Sequence, residues 1–471
     1  TSGSFTADSI TSDAQISAST QNGSVSIESS GDVTLNSIIA GTASVTIETT
    51  NGAINDHSSD TISDITADTI SLSATAGIGN IETIELESAS NISITSSGTQ
   101  NIDIDHAADA PTSVSSISQT GSGNINFDQT GSQSLTFSGT LSTASGNLAV
   151  SNNNSLSLAT TSITGDLSLT ASGAISDTGS ITVSGTTTIA AGASNNIDFD
   201  TTNNNFSSVN ITSANNVVLK DSNAIDLGTS TVSGTLGITS AGAVTDSGTL
   251  AITGATTISA SGQDITLDEA ASTFGTLSLT GANVAVTDAG ATDLGTSTVS
   301  GTLGITSGGA ITNSGTLAIT GASNFDNSGG SNDAITLDDS SNAFNGSVTF
   351  TTDSGSAVTI VNTTALELVA LTAASLNVTA GGAVTDSGTL AITGATTISA
   401  SGQDITLDEA SSTFGTLALT GANVAVTDAG ATDLGASTVS GTLGITSAGA
   451  VTDSGTLAIT GATTISASGQ D

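Results

Sequence analysis

A long internal repeat constrains the fold of this 471-residue chain more than any other feature. The segment from Asp226 to Thr292 is followed by a second copy that opens at Asp293, so the period is about 67 residues (293 − 226). A further copy opens at Asp433, about 140 residues later (433 − 293), which is close to two periods. A fixed long period is the signature of a repeat architecture, so the chain is predicted to stack similar structural units.

Within each unit, apolar and polar residues alternate in short bursts. Leu236 with Ile238, and Leu250 with Ile252, show a period of two, which is typical of a strand with one buried face. The bursts end in Gly, Asn, Asp or Ser, residues that tolerate turn geometry. The unit contains nine bursts. Taken three to a triangular coil, they predict three coils per repeat and about 22 residues per coil.

These patterns predict an all-β fold, a right-handed parallel β-helix or β-solenoid, with Ile, Leu, Val and Ala in its narrow interior. The aromatic fraction is only 2%, and the chain has no Trp, Tyr, Met or Cys. A globular core of this size would use large aromatic residues, because they bury the most area. The alternative is a row of tandem Ig-like β-sandwiches, one per repeat, but such domains usually carry a core Trp or Tyr.

Phenylalanine recurs with the repeat. Phe206, Phe274, Phe344 and Phe414 follow one another at intervals of about 70 residues (274 − 206, 344 − 274 and 414 − 344), close to one period. Each of them ends a polar run. A row of binding residues is one interpretation of this spacing. Packing in the core or at a corner of the coil is the interpretation we favour.

The predicted domain organisation is one continuous solenoid. Residues 1–157 form degenerate coils, and residues 158–471 form regular repeats with units near 158–226, 227–293, 294–365, 366–433 and a partial unit 434–471. The third regular unit carries an insertion around Gly321 to Asp333, which is predicted to form a loop on one face. The last unit is incomplete and no capping sequence is visible, so we expect either a longer parent protein or stacking on a next molecule.

The charge is strongly one-sided. Lys220 is the single basic residue against 42 acidic ones, for a formal net charge of −41. This excludes a nucleic-acid partner, which would require cations on its phosphates, and it disfavours docking on an anionic membrane. No stretch approaches the ~20 apolar residues of a membrane span. Salt screens such repulsion, so the composition indicates an extracellular or cell-surface location.

No catalytic residues are predicted. The chain has no Arg, and Lys220 follows an apolar pair, so the basic proton acceptor of polysaccharide-cleaving solenoids is missing. His57 and His106 each follow an Asp, but neighbouring residues on a strand point to opposite faces. We therefore expect both histidines to be solvated loop residues and the protein not to be an enzyme.

Calcium is the one cofactor that the sequence suggests. Acidic residues recur where predicted strands end, in the sequences ITLDEA and ITLDDS, and hard cations bind several oxygen ligands at turns. The alternative is that these are solvated corner acids. The predicted calcium positions are Asp268, Glu269, Asp338, Asp339, Asp408 and Glu409.

The repeat sequences themselves carry a resemblance. GDLSLTASGAISDTGSITVSG (residues 165–185) and GTLGITSAGAVTDSGTLAITG (residues 234–254) resemble the repeats of filamentous-haemagglutinin-type exoproteins. The resemblance covers most of the chain from Leu158 and, more weakly, the part before it. It implies a large bacterial β-helix protein that is secreted through an outer-membrane partner and forms a fibrous adhesin.

Two functions follow as expectations. In the first, the chain is a non-enzymatic, acidic β-solenoid rod of a cell-surface adhesin-like exoprotein. In the alternative, it is a subunit of a homopolymeric extracellular filament or sheath joined end to end. The expected partners are further copies, end to end or side by side, and the cell surface or the extracellular matrix.

Overall fold

A computed structural model describes residues 3–10, 14–58 and 60–468, and the chain divides into two compact units, residues 1–240 and 241–471. Across these described residues the structure is built from β-strands, and the strand registers are parallel. The all-β parallel solenoid is confirmed, whereas the sheets of Ig-like sandwiches would be antiparallel. The part of the chain that the structure describes contains no helix long and apolar enough to cross a membrane.

Most strands of the first unit are short, because they cover one side of a coil before a turn, whereas the 17-residue strand from Val33 to Thr49 continues around a corner. They are numbered β1 to β25 in chain order: Phe5–Ile10, Ala14–Ser19, Val25–Ser29, Val33–Thr49, Ile54–Asp56, Ile65–Ala74, Ile84–Glu87, Asn91–Ser96, Ile102–Ala107, Thr112–Gln119, Ile125–Thr130, Leu135–Phe137, Leu141–Thr143, Leu148–Asn152, Leu156–Leu158, Thr161–Ile163, Leu167–Ala171, Ile175–Asp177, Ile181–Ala190, Ile197–Phe199, Asn205–Ser213, Val217–Asp221, Ile225–Leu227, Ser230–Val232 and Leu236–Ser240.

The strands of the second unit follow the same plan. They are numbered β26 to β55: Val244–Asp246, Leu250–Ile252, Thr256–Ser259, Ile265–Leu267, Thr276–Gly281, Val284–Asp288, Thr292–Leu294, Ser297–Val299, Leu303–Ser307, Ile311–Asn313, Leu317–Ile319, Ser323–Asp326, Ile335–Leu337, Ala343–Phe344, Val348–Thr351, Ala357–Asn362, Leu366–Leu368, Leu371–Ala373, Ser375–Ala380, Val384–Asp386, Leu390–Ser399, Ile405–Leu407, Thr413–Gly421, Val424–Asp428, Thr432–Leu434, Ser437–Val439, Leu443–Ser447, Val451–Asp453, Leu457–Ile459 and Thr463–Ala467.

The parallel register gives the length of a coil in the second unit directly. Seven successive pairings lead from Val244 to Asp386, so these seven coils (386 − 244) average about 20 residues each. Two sequence repeats, from Val244 to Val384, therefore end two residues short of seven coils. The intermediate positions on this column are Ile265, Val284, Leu303, Ser323, Val348 and Leu368.

One sequence repeat spans about three and a half coils, which corrects the predicted three coils of about 22 residues each. Three pairings connect Leu376 to Leu434, and the sequence equivalent of Leu376, Leu443, lies nine residues further on. The count of apolar bursts missed a polar segment that also pairs with the preceding coil, at the bridge between Ala251 and Thr273. Successive repeats consequently face different sides of the solenoid, and alternate repeats face the same side.

The core consists of the inward residues of each strand. On β27, Leu250 is buried whereas Ala251 is only half-buried, as the alternation predicts. The four recurring phenylalanines are all buried, so their predicted packing role is confirmed. Phe325 adds an aromatic cluster, with its ring centroid 5.9 Å from that of Phe344 and 5.8 Å from that of Phe350. Such offset and edge contacts stabilise beyond their buried area.

Side-chain amides and carboxylates complete the ladder at the corners, where turns interrupt the strand pairing. Asn283 donates from its backbone N–H to Asp264 Oδ1 at 3.0 Å, and its own Oδ1 accepts the backbone N–H of Thr302 at 3.1 Å. Each such bond satisfies a backbone group that the sheet leaves unpaired. The first unit repeats this arrangement over Asn101, Asn124, Asn147, Asp166 and Thr186.

The predicted insertion forms a loop. The coil from Ser323 to Val348 contains about 25 residues (348 − 323), the largest step on its column. The extra length arises because residues 327–334 leave the strand ladder. Asn332 in this loop has a φ of 61°, a left-handed conformation that Asn tolerates better than most residues. The insertion therefore lengthens one turn without changing the register of the strands on either side.

Replacing Leu250 by Asp places an unpaired charge in the core, and we expect a local loss of about 4 kcal/mol or more. Coils that do not contact β27 should be spared, because repeat stability is a sum of neighbouring terms. Hydrogen exchange followed by mass spectrometry measures this, with Thr257→Asp on the exposed face of β28 as the control. A uniform loss of protection over residues 300–450 would contradict the expected additivity.

Replacing Asn283 by Ala removes the acceptor for the Thr302 backbone N–H and for the Thr302 hydroxyl, both at 3.1 Å. We expect a loss of roughly 1–2 kcal/mol in the local free energy of opening. Native-state hydrogen exchange at Thr302 and Leu303 reports it. Ser278→Ala, at an outward position of β30, should leave the same amides unchanged.

Candidate functional site

The first unit brings three acidic side chains together. Asp56 ends β5, Asp64 precedes β6 and Glu85 lies on β7, and one carboxylate oxygen from each lies within 4.8 Å of the others. Among the described residues this is the one group of three or more His, Cys, Asp or Glu side chains with that spacing. A hydrogen bond between successive coils holds Asp64 and Glu85 together, since the Glu85 N–H donates to Asp64 Oδ2 at 3.1 Å.

The same column continues for two more coils. The backbone N–H of Asp64 donates to the carbonyl of Glu85 at 2.9 Å. In the parallel strand register, Glu85 lies opposite Asp105, and Asp105 lies opposite Asp128. We call Asp64, Glu85, Asp105 and Asp128 the acidic ladder. The Asp128 carboxylate accepts a hydrogen bond from the hydroxyl of Ser151 on the next coil. Like charges directly opposite each other destabilise a sheet, so this ladder favours uptake of a proton.

Burial and charge repulsion both raise pKa values within the acidic ladder. Burial, followed by the hydrogen bond with the Asp56 carboxyl, raises the pKa of Asp64 to about 9. Burial also raises the pKa of Glu85 and, together with the charge of Asp128, that of Asp105. Asp64 is therefore protonated at neutral pH and shares its proton with its neighbours. Once deprotonated, the three carboxylates of Asp56, Asp64 and Glu85 offer oxygen ligands of the kind that calcium prefers.

The calcium positions predicted from the sequence do not form such a group. Asp268 is exposed and Glu269 is half-buried, and their backbone N–H groups donate to the two carboxylate oxygens of Asp246 at 2.8 and 3.4 Å. The equivalent pair Asp408 and Glu409 follows the same plan, with the Asp408 N–H donating to Asp386 Oδ1 at 2.8 Å. The structure thus places a buried Asp beside each pair and engages it with backbone amides.

Asp338 and Asp339 lie at the same turn of the intervening repeat, where Asn313 replaces the buried Asp. Asp339 Oδ1 accepts hydrogen bonds from the Ser341 N–H at 2.8 Å and from the Thr316 hydroxyl at 3.2 Å. These contacts cap the turn, and Asp338 itself is exposed. Calcium binding at the six positions named from the sequence stays a prediction.

The two histidines differ in their surroundings. His57 is exposed, and its Nδ1 lies 2.9 Å from Gln15 Nε2, which agrees with the expected loop histidine. His106 is fully buried on β9, with Nδ1 3.1 Å from Gln129 Oε1, so the expectation of a solvated loop residue is wrong there. The sequence signal was available, because His106 falls on the inward side of the alternation in IDIDHA.

Sequence reasoning also missed the acidic ladder. Its members follow one another at steps of about 20 residues (85 − 64, 105 − 85 and 128 − 105). Each of these steps is one coil, so acids at that spacing are stacked. The degenerate repeats of this region hid the coil length from which the stacking could have been deduced.

The comparisons with known proteins agree with the repeat architecture. Five consecutive segments, residues 145–213, 214–280, 281–351, 355–420 and 421–471, match the family described as "Repeats of unknown function (DUF5649)". These segments make up more than half of the chain, and the protein belongs to this family. No curated protein and no solved structure matches the chain. The family supports a repetitive β-helix protein and says nothing about adhesion.

The acidic ladder predicts a pH dependence. Because the pKa of Asp64 in the folded protein is about 9 and the unfolded value is about 3.9, the folded state binds the extra proton between these limits. The stabilisation is full below about pH 4 and is lost as the pH rises towards 9. Hydrogen exchange in β5 to β7 should therefore lose protection between pH 5 and pH 8, after correction for intrinsic exchange.

Asp64→Asn keeps the shape of the side chain and removes its titration. We expect this variant to lose most of the pH dependence in β5 to β7. Glu28→Gln, on the exposed side of β3, is the matched control and should behave like the natural protein. An unchanged pH profile in Asp64→Asn would show that the shared proton does not stabilise these coils.

Proposed function

We propose that the chain is a non-enzymatic structural fibre of the extracellular space, an acidic β-solenoid segment of a cell-surface adhesin-like exoprotein. The observation that carries this proposal is the register of the second unit. There, seven coils use their inward residues for packing and their backbones for pairing with the next coil. Each added coil of this kind extends the ladder by about 4.8 Å, so duplication of the repeat makes a longer scaffold.

The sequence of the repeats supports a role in which length matters. Residues 242–270 and 382–410 are identical, and they lie in one unit, two repeats apart. Each of these segments is longer than one coil, so their identity preserves packing and surface together. A scaffold becomes longer with each such copy. The resemblance to filamentous-haemagglutinin-type exoproteins supports a role at the cell surface for this length.

The charge supports an extracellular location. A net charge of −41 with one basic residue makes copies repel one another at low ionic strength. At physiological ionic strength the Debye length falls to about 8 Å, which limits this repulsion to close approach. Salt or divalent cations outside the cell would therefore be needed for such chains to lie close together.

The histidine environments support a non-enzymatic role. His57 contacts Gln15, and His106 contacts Gln129 inside the core. Neither contact couples an imidazole to a nucleophilic hydroxyl, as general-base catalysis by a triad would require. The raised pKa values of Asp64, Glu85 and Asp105 are explained by their burial, and this explanation requires no catalytic role.

A homopolymeric filament or sheath is the second candidate, and the coil count favours its side-by-side form. Because two repeats are nearly seven coils, identical surfaces recur on the same side of the second unit about every 34 Å. A regular axial spacing of identical surfaces suits lateral contacts between copies in register. In this function, the assembled polymer itself performs the role, and an adhesive tip is not required.

Immunogold electron microscopy of the producing cells tests the proposal. Label on thin fibres outside the cell is the expected result, and label confined to the cytoplasm would overturn it. Isolated fibres that end in a distinct knob favour the adhesin. Long filaments with an axial repeat of about 34 Å, the rise of seven coils, favour the homopolymer.

Deletion of residues 244–383 tests the scaffold role at the level of the molecule. The deletion removes two repeats and joins Ala243 to Val384, the sequence equivalent of Val244. We expect a folded particle about 34 Å shorter, because nearly seven coils are lost. Electron microscopy gives the length, and circular dichroism should show an unchanged strand signal per residue. A particle of unchanged length would contradict the coil count.

A further inference from the structure

A column of polar side chains runs inside the core of the first unit. His106 on β9 pairs with Gln129 on β11, and Gln129 pairs with Asn152 on β14, so the three occupy the same inward position on successive coils. All three are buried, with 0%, 0% and 3% of their surface exposed. We call these three residues the inner polar ladder. The position before them on the column is Leu86 of β7, which is apolar.

The hydrogen bonds fix the proton of the imidazole. Asn152 Nδ2 donates to the carbonyl of Ser155 at 2.7 Å, so its Oδ1 is the atom that accepts from Gln129 Nε2 at 3.2 Å. Gln129 Nε2 also donates to the carbonyl of Gln133 at 3.1 Å, which leaves Gln129 Oε1 to face His106 Nδ1 at 3.1 Å. An oxygen acceptor requires a donor, so Nδ1 carries the hydrogen of a neutral ring.

The other ring nitrogen has no partner. His106 Nε2 is buried and makes no hydrogen bond within the described residues. As an unprotonated nitrogen it forfeits only a weak acceptor interaction. As part of an imidazolium ion it would be a buried, charged donor without an acceptor, which is among the most costly arrangements in a protein core.

The charges around the ring do not remove this cost. Asp109, in the loop after β9, attracts a proton on His106 through its charge. Asp105 on β9, Asp128 on β11, and Glu85 and Glu87 on β7 occupy the outward positions of their strands, and Leu86 faces the ring from β7. Phe127 lies 6.4 Å from the ring, measured between ring centroids, and is uncharged.

We propose that the inner polar ladder is an acid-sensitive latch: when the surroundings become mildly acidic, His106 takes up a proton and the coils of β9, β11 and β14 open locally. Opening gives Nε2–H access to water and separates Gln129 from its two acceptors. The coils of the second unit contain no histidine and should keep their pairing. The latch would let a fibre loosen at one place while the rest stays folded.

The pKa of the ring agrees with this geometry. Burial lowers the pKa of His106, against the smaller opposing effects of the Gln129 hydrogen bond and the Asp109 charge. Because the folded value lies below the unfolded value of about 6.5, the unfolded or opened form binds more protons in acid. The stability contributed by the neutral ring is therefore present above about pH 6.5 and is lost as the pH falls through that value.

The experiment is hydrogen exchange of the full chain at pH 7.5 and pH 5.0, corrected for intrinsic exchange. We expect the amides of β9, β11 and β14 to lose protection about tenfold or more on acidification, because at pH 5.0 the opened form, with an ordinary imidazole pKa of about 6.5, takes up a proton that the closed core does not accommodate. His106→Gln extends the amide column without a titrating group and should abolish the loss. His57→Gln removes the exposed histidine and should retain it.

A second measurement covers the possibility that His106→Gln does not fold. The natural chain has two histidines, so selective isotope labelling gives two imidazole signals in nuclear magnetic resonance spectra. The latch requires that the His106 signal reports a neutral Nδ1–H ring at pH 7.5 and becomes protonated only together with loss of protection in β9. Protonation of His106 with full protection would overturn the proposal, as would equal losses in the natural chain and in His106→Gln.

Discussion

The backbone hydrogen bonds between successive coils are the interaction on which the rest of this structure depends. They hold neighbouring strands about 4.8 Å apart and in parallel register, so within the paired strands a side chain lies above its partner on the preceding coil. The interior is consequently narrow, and Ile, Leu, Val, Ala and Phe side chains fill it. Turns must also repeat, which explains why Asn and Asp at the corners bind the backbone of the next coil.

The alternation of single residues predicts this fold well, whereas the number of coils per repeat requires knowledge of the turns. Leu250 and Ile252 reveal their strand and its buried face without a structure. Thr273 lies in the polar sequence ASTF and gives no such signal, yet it pairs with Ala251. Because this one segment was missed, the sequence predicts three coils per repeat, whereas the structure has about three and a half. The side on which each repeat lies depends on this difference.

The candidate site shows the same limit. The acids that were selected from the sequence, such as Asp268, stand out because the regular repeats display them at strand ends, and there the structure uses their backbones in turns. Asp64 and Glu85 lie in degenerate repeats and become neighbours only through the coil length. His106 was expected to lie in a loop, like His57, although the alternation in β9 places it inside. Local pattern thus predicts burial better than it predicts contacts between coils.

Stacking also explains why this chain concentrates its titratable groups. A side chain on one coil lies beside the equivalent side chain on the next. Asp105 is therefore close enough to Asp128 for the charge of Asp128 to raise its pKa. Strand β9 carries Asp105 on its outer side and His106 on its inner side. The outer group favours proton uptake by the folded coil, and the inner group opposes it. The contribution of Asp105 to stability therefore falls as the pH rises through its raised pKa, whereas that of the neutral His106 ring falls as the pH drops below about 6.5, so the two groups act in opposite directions on one coil.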